Sequence, residues 1–329
     1  VKTEPGFGFY TWIDYNNDNI KDIGEFEVAQ FTDQAEYIRV NIATTEFVRT
    51  YGNQFSQTLF VKPERLWRNK KGVKGFIAKL SNQTNYNINR KTSYEDGLAA
   101  LNPFSYAISD TSLINSLSTI RNTLFFNRLN PVFGLEYSYQ INSTKNLLSS
   151  GFDANNRAIN SLKLRWNISK VINIKLEYNN SRRAASSDYA ISRNFNYLSQ
   201  LGDAILAYQP NTSYRIAVNS QYVVKLNDSD LSEEAKIFKL GGELRINQAK
   251  KGSFSANISA NFIEYNSPEN TPLAFELLES LKPGVNYIWG INYQRKVANN
   301  LQLNFTYNGR KSEELKSIHS GGMELRAFF

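Results

Sequence analysis

Thr212-Ser-Tyr214-Arg-Ile216-Ala-Val218-Asn-Ser-Gln-Tyr222-Val-Val224-Lys-Leu226 is the stretch on which the fold turns. Tyr214, Ile216, Val218, Tyr222, Val224 and Leu226 fall on one face of an extended chain, and Ser213, Arg215, Asn219, Gln221 and Lys225 fall on the other. A period of two marks a strand with one apolar and one polar face. The pattern recurs. Phe133, Leu135, Tyr137, Tyr139 and Ile141 oppose Glu136, Ser138, Gln140 and Asn142. Leu162, Leu164, Trp166 and Ile168 alternate with Ser161, Lys163, Arg165 and Asn167, and a tight turn at Ser169-Lys170 leads into Ile172, Ile174, Leu176 and Tyr178. Further strands follow around 238–246, 254–262, 285–293 and 301–307. In the closing run His319–Phe329, Gly321, Met323, Leu325, Ala327 and Phe329 share a face. So many large apolar faces need either lipid or a second sheet to cover them, and a terminal aromatic favours lipid.

Working outward, the connections predict an orientation. Short ones fall near 127–130, 169–170, 210–211, 249–252 and 297–300, and long ones near 143–158, 181–191, 227–234, 266–283 and 310–316. Strict alternation of short turns and long loops is the asymmetry of an outer-membrane barrel. A soluble β-sandwich or adhesin, the main alternative, has no reason to sort loops by end. The last strand runs toward the short turns, which puts the C-terminus in the periplasm. Earlier strands are expected at about 55–66 and 73–90, joined by a turn at 69–72 and followed by a long loop at 91–114, with one more at about 37–49. The expectation is an all-β, antiparallel up-and-down transmembrane barrel of about 14 strands (12 to 16), spanning 37–329 after an N-terminal segment 1–36. Such a lumen is wet or plugged. No plug domain is evident, although residues 1–36 are able to fold inward.

Bulk composition agrees. The 329 residues are 41% hydrophobic and 13% aromatic, with a mean hydropathy of −0.46. Only alternate barrel residues meet lipid, so no bulk hydrophobicity is expected. No apolar run approaches the roughly 18 residues of a spanning helix. Aromatics suit the interfacial girdles, and Trp166, Trp289, Tyr214, Tyr293, Phe305 and Phe329 are the expected lipid contacts. Without cysteine there is no disulfide or thiolate metal site. The net charge of +8 is spread among acids rather than gathered on one face, which argues against nucleic acid and for a solvated lumen, loops and outer-leaflet lipopolysaccharide. Val1-Lys2-Thr3-Glu4-Pro5 is no signal peptide. An exported barrel is then a mature product or the C-terminal part of a longer protein, and the abrupt opening favours the latter.

One motif is sharp. Residues 14–25 offer oxygen at positions 1, 3, 5, 7, 9 and 12 of an EF-hand-type loop: Asp14, Asn16, Asp18, the Ile20 carbonyl, Asp22 and Glu25. That spacing suits Ca²⁺, a hard cation taking six to eight oxygens. Position six holds Asn19 in place of glycine, and Asn tolerates the left-handed conformation that the turn requires. The preceding Gly6–Trp12 reads as extended, so the loop is an isolated structural calcium site and not a helix-flanked sensor. Catalysis is not expected. The single histidine, His319, has Ser317 on its face but no orienting acid, so a rim or girdle role is expected over an outer-membrane barrel enzyme.

The run Gly6-Phe-Gly-Phe-Tyr-Thr-Trp-Ile-Asp-Tyr-Asn-Asn-Asp18, with Glu25-Phe-Glu27 and Ala35-Glu-Tyr-Ile-Arg-Val40, resembles a signature of large Bacteroidota outer-membrane proteins. In those a calcium-type loop precedes barrel strands, and very large secretion-translocon barrels are one relative. The resemblance implies the C-terminal barrel portion of a longer envelope protein, acting as channel, transporter or membrane component of an export, assembly or surface complex. It implies envelope-protein partners, and barrel-assembly machinery that reads the strand ending at Phe329. It carries no substrate and no catalytic residue.

Overall fold

The computed structural model describes residues 1–40, 49–93, 102–104, 113–148, 151–228, 232–249, 251–298, 300–313 and 315–328. Two short strands, β1 (Tyr10–Trp12) and β2 (Phe26–Val28), pair with each other. The rest is built on β3 (Thr50–Val61), β4 (Leu80–Ser93), β5 (Leu113–Phe126), β6 (Phe133–Leu148), β7 (Gly151–Asn167), β8 (Ile172–Ser187) and β9 (Phe195–Tyr208). It continues through β10 (Tyr214–Asn227), β11 (Glu234–Gln248), β12 (Gly252–Tyr265), β13 (Gly284–Ala298), β14 (Leu301–Ser312) and β15 (Ile318–Ala327). Among the described residues three short α-helices interrupt them: α1 (Glu64–Trp67) and α2 (Gly72–Ile77) before β4, and α3 (Pro272–Leu277) before β13.

β3 to β15 form one antiparallel sheet of 13 strands in sequence order. The expected all-β meander is therefore present. Its two outer strands, β3 and β15, are not hydrogen-bonded to each other. With an odd number of antiparallel strands, those two edges run the same way.

The register fixes which residues share a face. Tyr137, Leu162 and Tyr178 lie side by side across β6–β8, and Val218 lies beside Leu206 and Gly242. This is the apolar set of the alternating pattern, and it is the exposed one: Tyr137, Leu162, Leu176, Ile216, Val218, Tyr222, Phe238 and Ile258 are all exposed. The opposite face holds the buried Lys225, Asn227, Asn261 and Asn286. The sheet is inside out by the standards of a water-soluble domain, where a contiguous exposed apolar patch rarely exceeds a few hundred Å². One outward spot departs from this. Asn82, Thr84 and Asn122 on β4 and β5 satisfy each other with hydrogen bonds of 2.7–3.2 Å.

Several boundaries differ from expectation. Residues 73–79, read as the start of a strand, are largely helical, and β3 stops at Val61. Lys62-Pro63 explains the stop: proline has no N–H for the ladder and presets the turn that begins α1. The connection 62–79 is thus a long one at the short-turn end. The loop expected at 143–158 is instead strand, with β6 and β7 running on to 148 and from 151. Loop length is therefore sorted less strictly than the sequence implied. The strand expected at 37–49, the loop at 91–114 and Phe329 lie wholly or partly outside the described residues.

Candidate functional site

Two segments occupy the inner face at the long-loop end. The first is the connection between β12 and β13. Thr271 caps α3 through Oγ1, which accepts from the Ala274 N–H at 3.0 Å, and Pro272 supplies the preset first residue. α3 then buries Ala274, Leu277 and Leu278 against Tyr197, Val223, Ala235, Ile237 and Ile263, all inward residues of β9–β12. Below the helix, Lys225 donates to the Leu277 carbonyl (2.9 Å) and to Glu279 (3.1 Å), and Lys239 donates to the other Glu279 oxygen (2.6 Å). Glu276 takes Arg183 and the Tyr197 hydroxyl. Burial alone would push Glu279 up, but Lys225 and Lys239 outweigh it and hold its carboxyl below the usual range.

The second is the N-terminal segment. Glu27 pairs with Arg193 at 3.0 Å, in the connection between β8 and β9. Asp33 takes a two-pronged bond from Arg310 of β14, at 2.8 and 2.7 Å, beneath Phe31. Forked Arg–carboxylate pairs are among the stronger charge-assisted bonds. Asn270 donates to the Tyr15 carbonyl, so the two segments also touch. Burial raises the Glu27 carboxyl, only partly offset by Arg193. Burial, reinforced by Glu27, also pushes the Tyr15 phenol far up. Residues 10–39 line one cavity with Asn146, Asp153 and Arg183 and another with Asn308 and Ser320. A single short segment reaching both β6–β8 and β14–β15 requires the sheet to curl around it. The expected inward folding of residues 1–36 is matched by these contacts, whereas 266–283, expected as a long external loop, also packs on the inner face.

The calcium-type loop sits on this segment. Carboxylate oxygens of Asp14, Asp18 and Glu25 converge within 4.8 Å of one another. Asn17 and Asn19 take the left-handed conformation, with φ of 60° and 59°. Asn16 Oδ1 accepts from the Asp18 N–H, Asp18 Oδ1 from Ile20 N–H and Asp14 Oδ2 from Asn19 N–H. Glu25, buried, accepts from Trp12 Nε1 at 2.8 Å and from the Asp22 N–H at 3.4 Å. Asp22 is thus the flank that orients Glu25 and is not one of the three converging carboxylates. Asp14 Oδ1 is buried and accepts no hydrogen bond from a described residue. Three converging carboxylates and one orphaned oxygen are the donor set a hard cation fits.

The expected lipid contacts Trp166, Tyr214, Trp289, Tyr293 and Phe305 all lie on the outward face. His319 also points outward. Its Nδ1 lies 2.8 Å from the Tyr307 hydroxyl, and its ring stacks on Tyr307 and leans on Trp289. Gly309 makes this cluster possible, because a side chain there would run into the Trp289 ring. No carboxylate is among the described partners of His319. No protein-family model and no curated protein matches this chain.

Proposed function

We propose that the chain is an outer-membrane β-barrel whose lumen is stoppered at the long-loop end by residues 1–39 and 266–283. It acts as a gated passage, alone or as the membrane part of an envelope complex. The observation that carries this is the reversed polarity of the sheet: large apolar residues exposed outside, ion pairs and amides inside. Closure brings β3 and β15 together, and the C-terminus faces the periplasm. In this reading the outward residues meet lipid and lipopolysaccharide, and the assembly machinery reads the strand that ends at Phe329. The motif resemblance to Bacteroidota envelope proteins belongs to the same reading. Ca²⁺ held by Asp14, Asn16, Asp18, the Ile20 carbonyl and Glu25, with Asp22 behind, braces the N-terminal stopper.

No described element covers the outward face as a second sheet; the β1–β2 pair belongs to the inward segment. The test is planar-bilayer conductance together with migration in detergent before and after boiling. The native chain is expected to migrate faster unboiled and to be electrically silent. The double variant Arg193→Gln/Arg310→Gln, with the stopper loosened, is expected to conduct. A chain that is monodisperse in plain buffer overturns the reading.

A further inference from the structure

At the opposite end from the stopper, the inner face carries a cavity of about 450 Å³. Its charged lining is Arg165, Lys175, Arg215 and Arg245. Asn173 and Asn247 add amides between them. Among the described residues, no acidic one lines it. The register explains the gathering: Arg165 pairs with Lys175 across β7–β8, and Arg215 pairs with Arg245 across β10–β11. Like charges directly opposite one another are unfavourable in a sheet, so two such pairs in one cavity need a counter-charge. Glu243 is the nearest, 3.6 Å from Arg215 and 3.1 Å from Arg245, and both arginines share it. Arg165 spends one guanidinium nitrogen on the Asn130 carbonyl. Lys175 makes no ion pair among the described residues. One step deeper, Glu136 faces Arg121 and Glu177 faces Lys163, while Asp203, beside Glu177, lines a neighbouring cavity that Arg165 and Lys175 also border.

We propose that this vestibule binds a small multivalent oxyanion, of phosphate or carboxylate type, entering from the short-turn end. Guanidinium groups match such oxyanions with forked hydrogen bonds, and the lysine adds a point charge. The site lies on the inner face whatever covers the outer one, so its fate is separate from that of the membrane reading.

The test is calorimetric titration of the full chain with tripolyphosphate, in the medium that keeps it monodisperse. Saturable one-to-one binding is expected, weakening as salt rises because the charges face water. Lys175→Gln with Arg215→Gln is expected to weaken it about tenfold or more. Glu243→Gln is expected to tighten it, since both arginines lose their competing partner. A gain of affinity cannot come from misfolding. Lys316→Gln, at the other end of the sheet, leaves it unchanged. Absence of saturable binding, equal loss in the Lys316 variant, or no tightening with Glu243→Gln overturns the proposal.

Discussion

Replacing Val218 by arginine separates a lipid-facing sheet from a water-facing one. Val218 is half exposed, on the outward face of β10. The outward apolar residues of that strand run from Tyr214 to Leu226. Twelve steps of about 3.4 Å span about 40 Å, and a tilt of about 45° reduces this to about 29 Å across the bilayer, close to its hydrocarbon thickness. Val218, four steps from Tyr214, then lies about 10 Å inside one boundary. An arginine near the midplane of a barrel's lipid face costs about 2–4 kcal/mol, falling to about 0–1 near the interface. On a water-facing strand the same change is worth less than about 1 kcal/mol, the span of strand propensity. Asn156→Arg serves as the control, because Asn156 is outward but lies far up β7, beyond the apolar band. The assay is urea unfolding of the refolded chain in lipid vesicles, with Asn156→Arg costing at most about 1 kcal/mol. If Val218→Arg costs no more than Asn156→Arg, the outward face does not meet hydrocarbon and the reasoning fails.

Three further outcomes follow from the inner face. Leu277→Ala removes a fully buried side chain from the α3 packing and should cost that docking about 2–5 kcal/mol. Protease cleavage within 266–283 should rise while boiling-dependent migration is kept. Because Glu279 has a folded pKa below its unfolded one, its contribution is full above the ordinary carboxylate range and is lost as pH falls through the depressed value. The protection of 272–281 against hydrogen exchange, taken relative to the intrinsic rate at each pH, should therefore fall on acidification, and Glu279→Gln should abolish that dependence. Addition of calcium should slow proteolysis of residues 10–30, and Asp14→Asn with Glu25→Gln should remove the effect; protection unaltered by either change would discard the metal.

The strands were legible because the period of two is unambiguous where one face meets a uniform medium. Val218 and Tyr222 could be assigned outward from their neighbours alone. The inward packing of residues 266–283 was not legible, yet a signal existed. Val223 beside Tyr222, Ile237 beside Phe238 and Ile263 beside Phe262 place apolar residues on both faces of adjacent strands at one level. Such a breach of alternation marks where something greasy is packed inside, here Leu277 and Leu278. The left-handed Asn19 and the convergence of Asp14, Asp18 and Glu25 were legible, because side-chain spacing and left-handed tolerance are local properties. The pairings Glu27–Arg193 and Asp33–Arg310 were not, because nothing local links residues so distant in sequence. Residues 62–79 misled because Val73 and Ile77 suit a strand as well as a short helix, and Pro63 was the only contrary sign.

The Asp33–Arg310 fork joins partners 277 positions apart. Arg310 acquires a fixed place only when β14 is laid into the sheet, almost at the end of the strand order. In the barrel proposed above, the bond that ties residues 31–33 to the wall is complete only once β14 stands in the sheet, so the passage would have no seal at that point before this strand is paired.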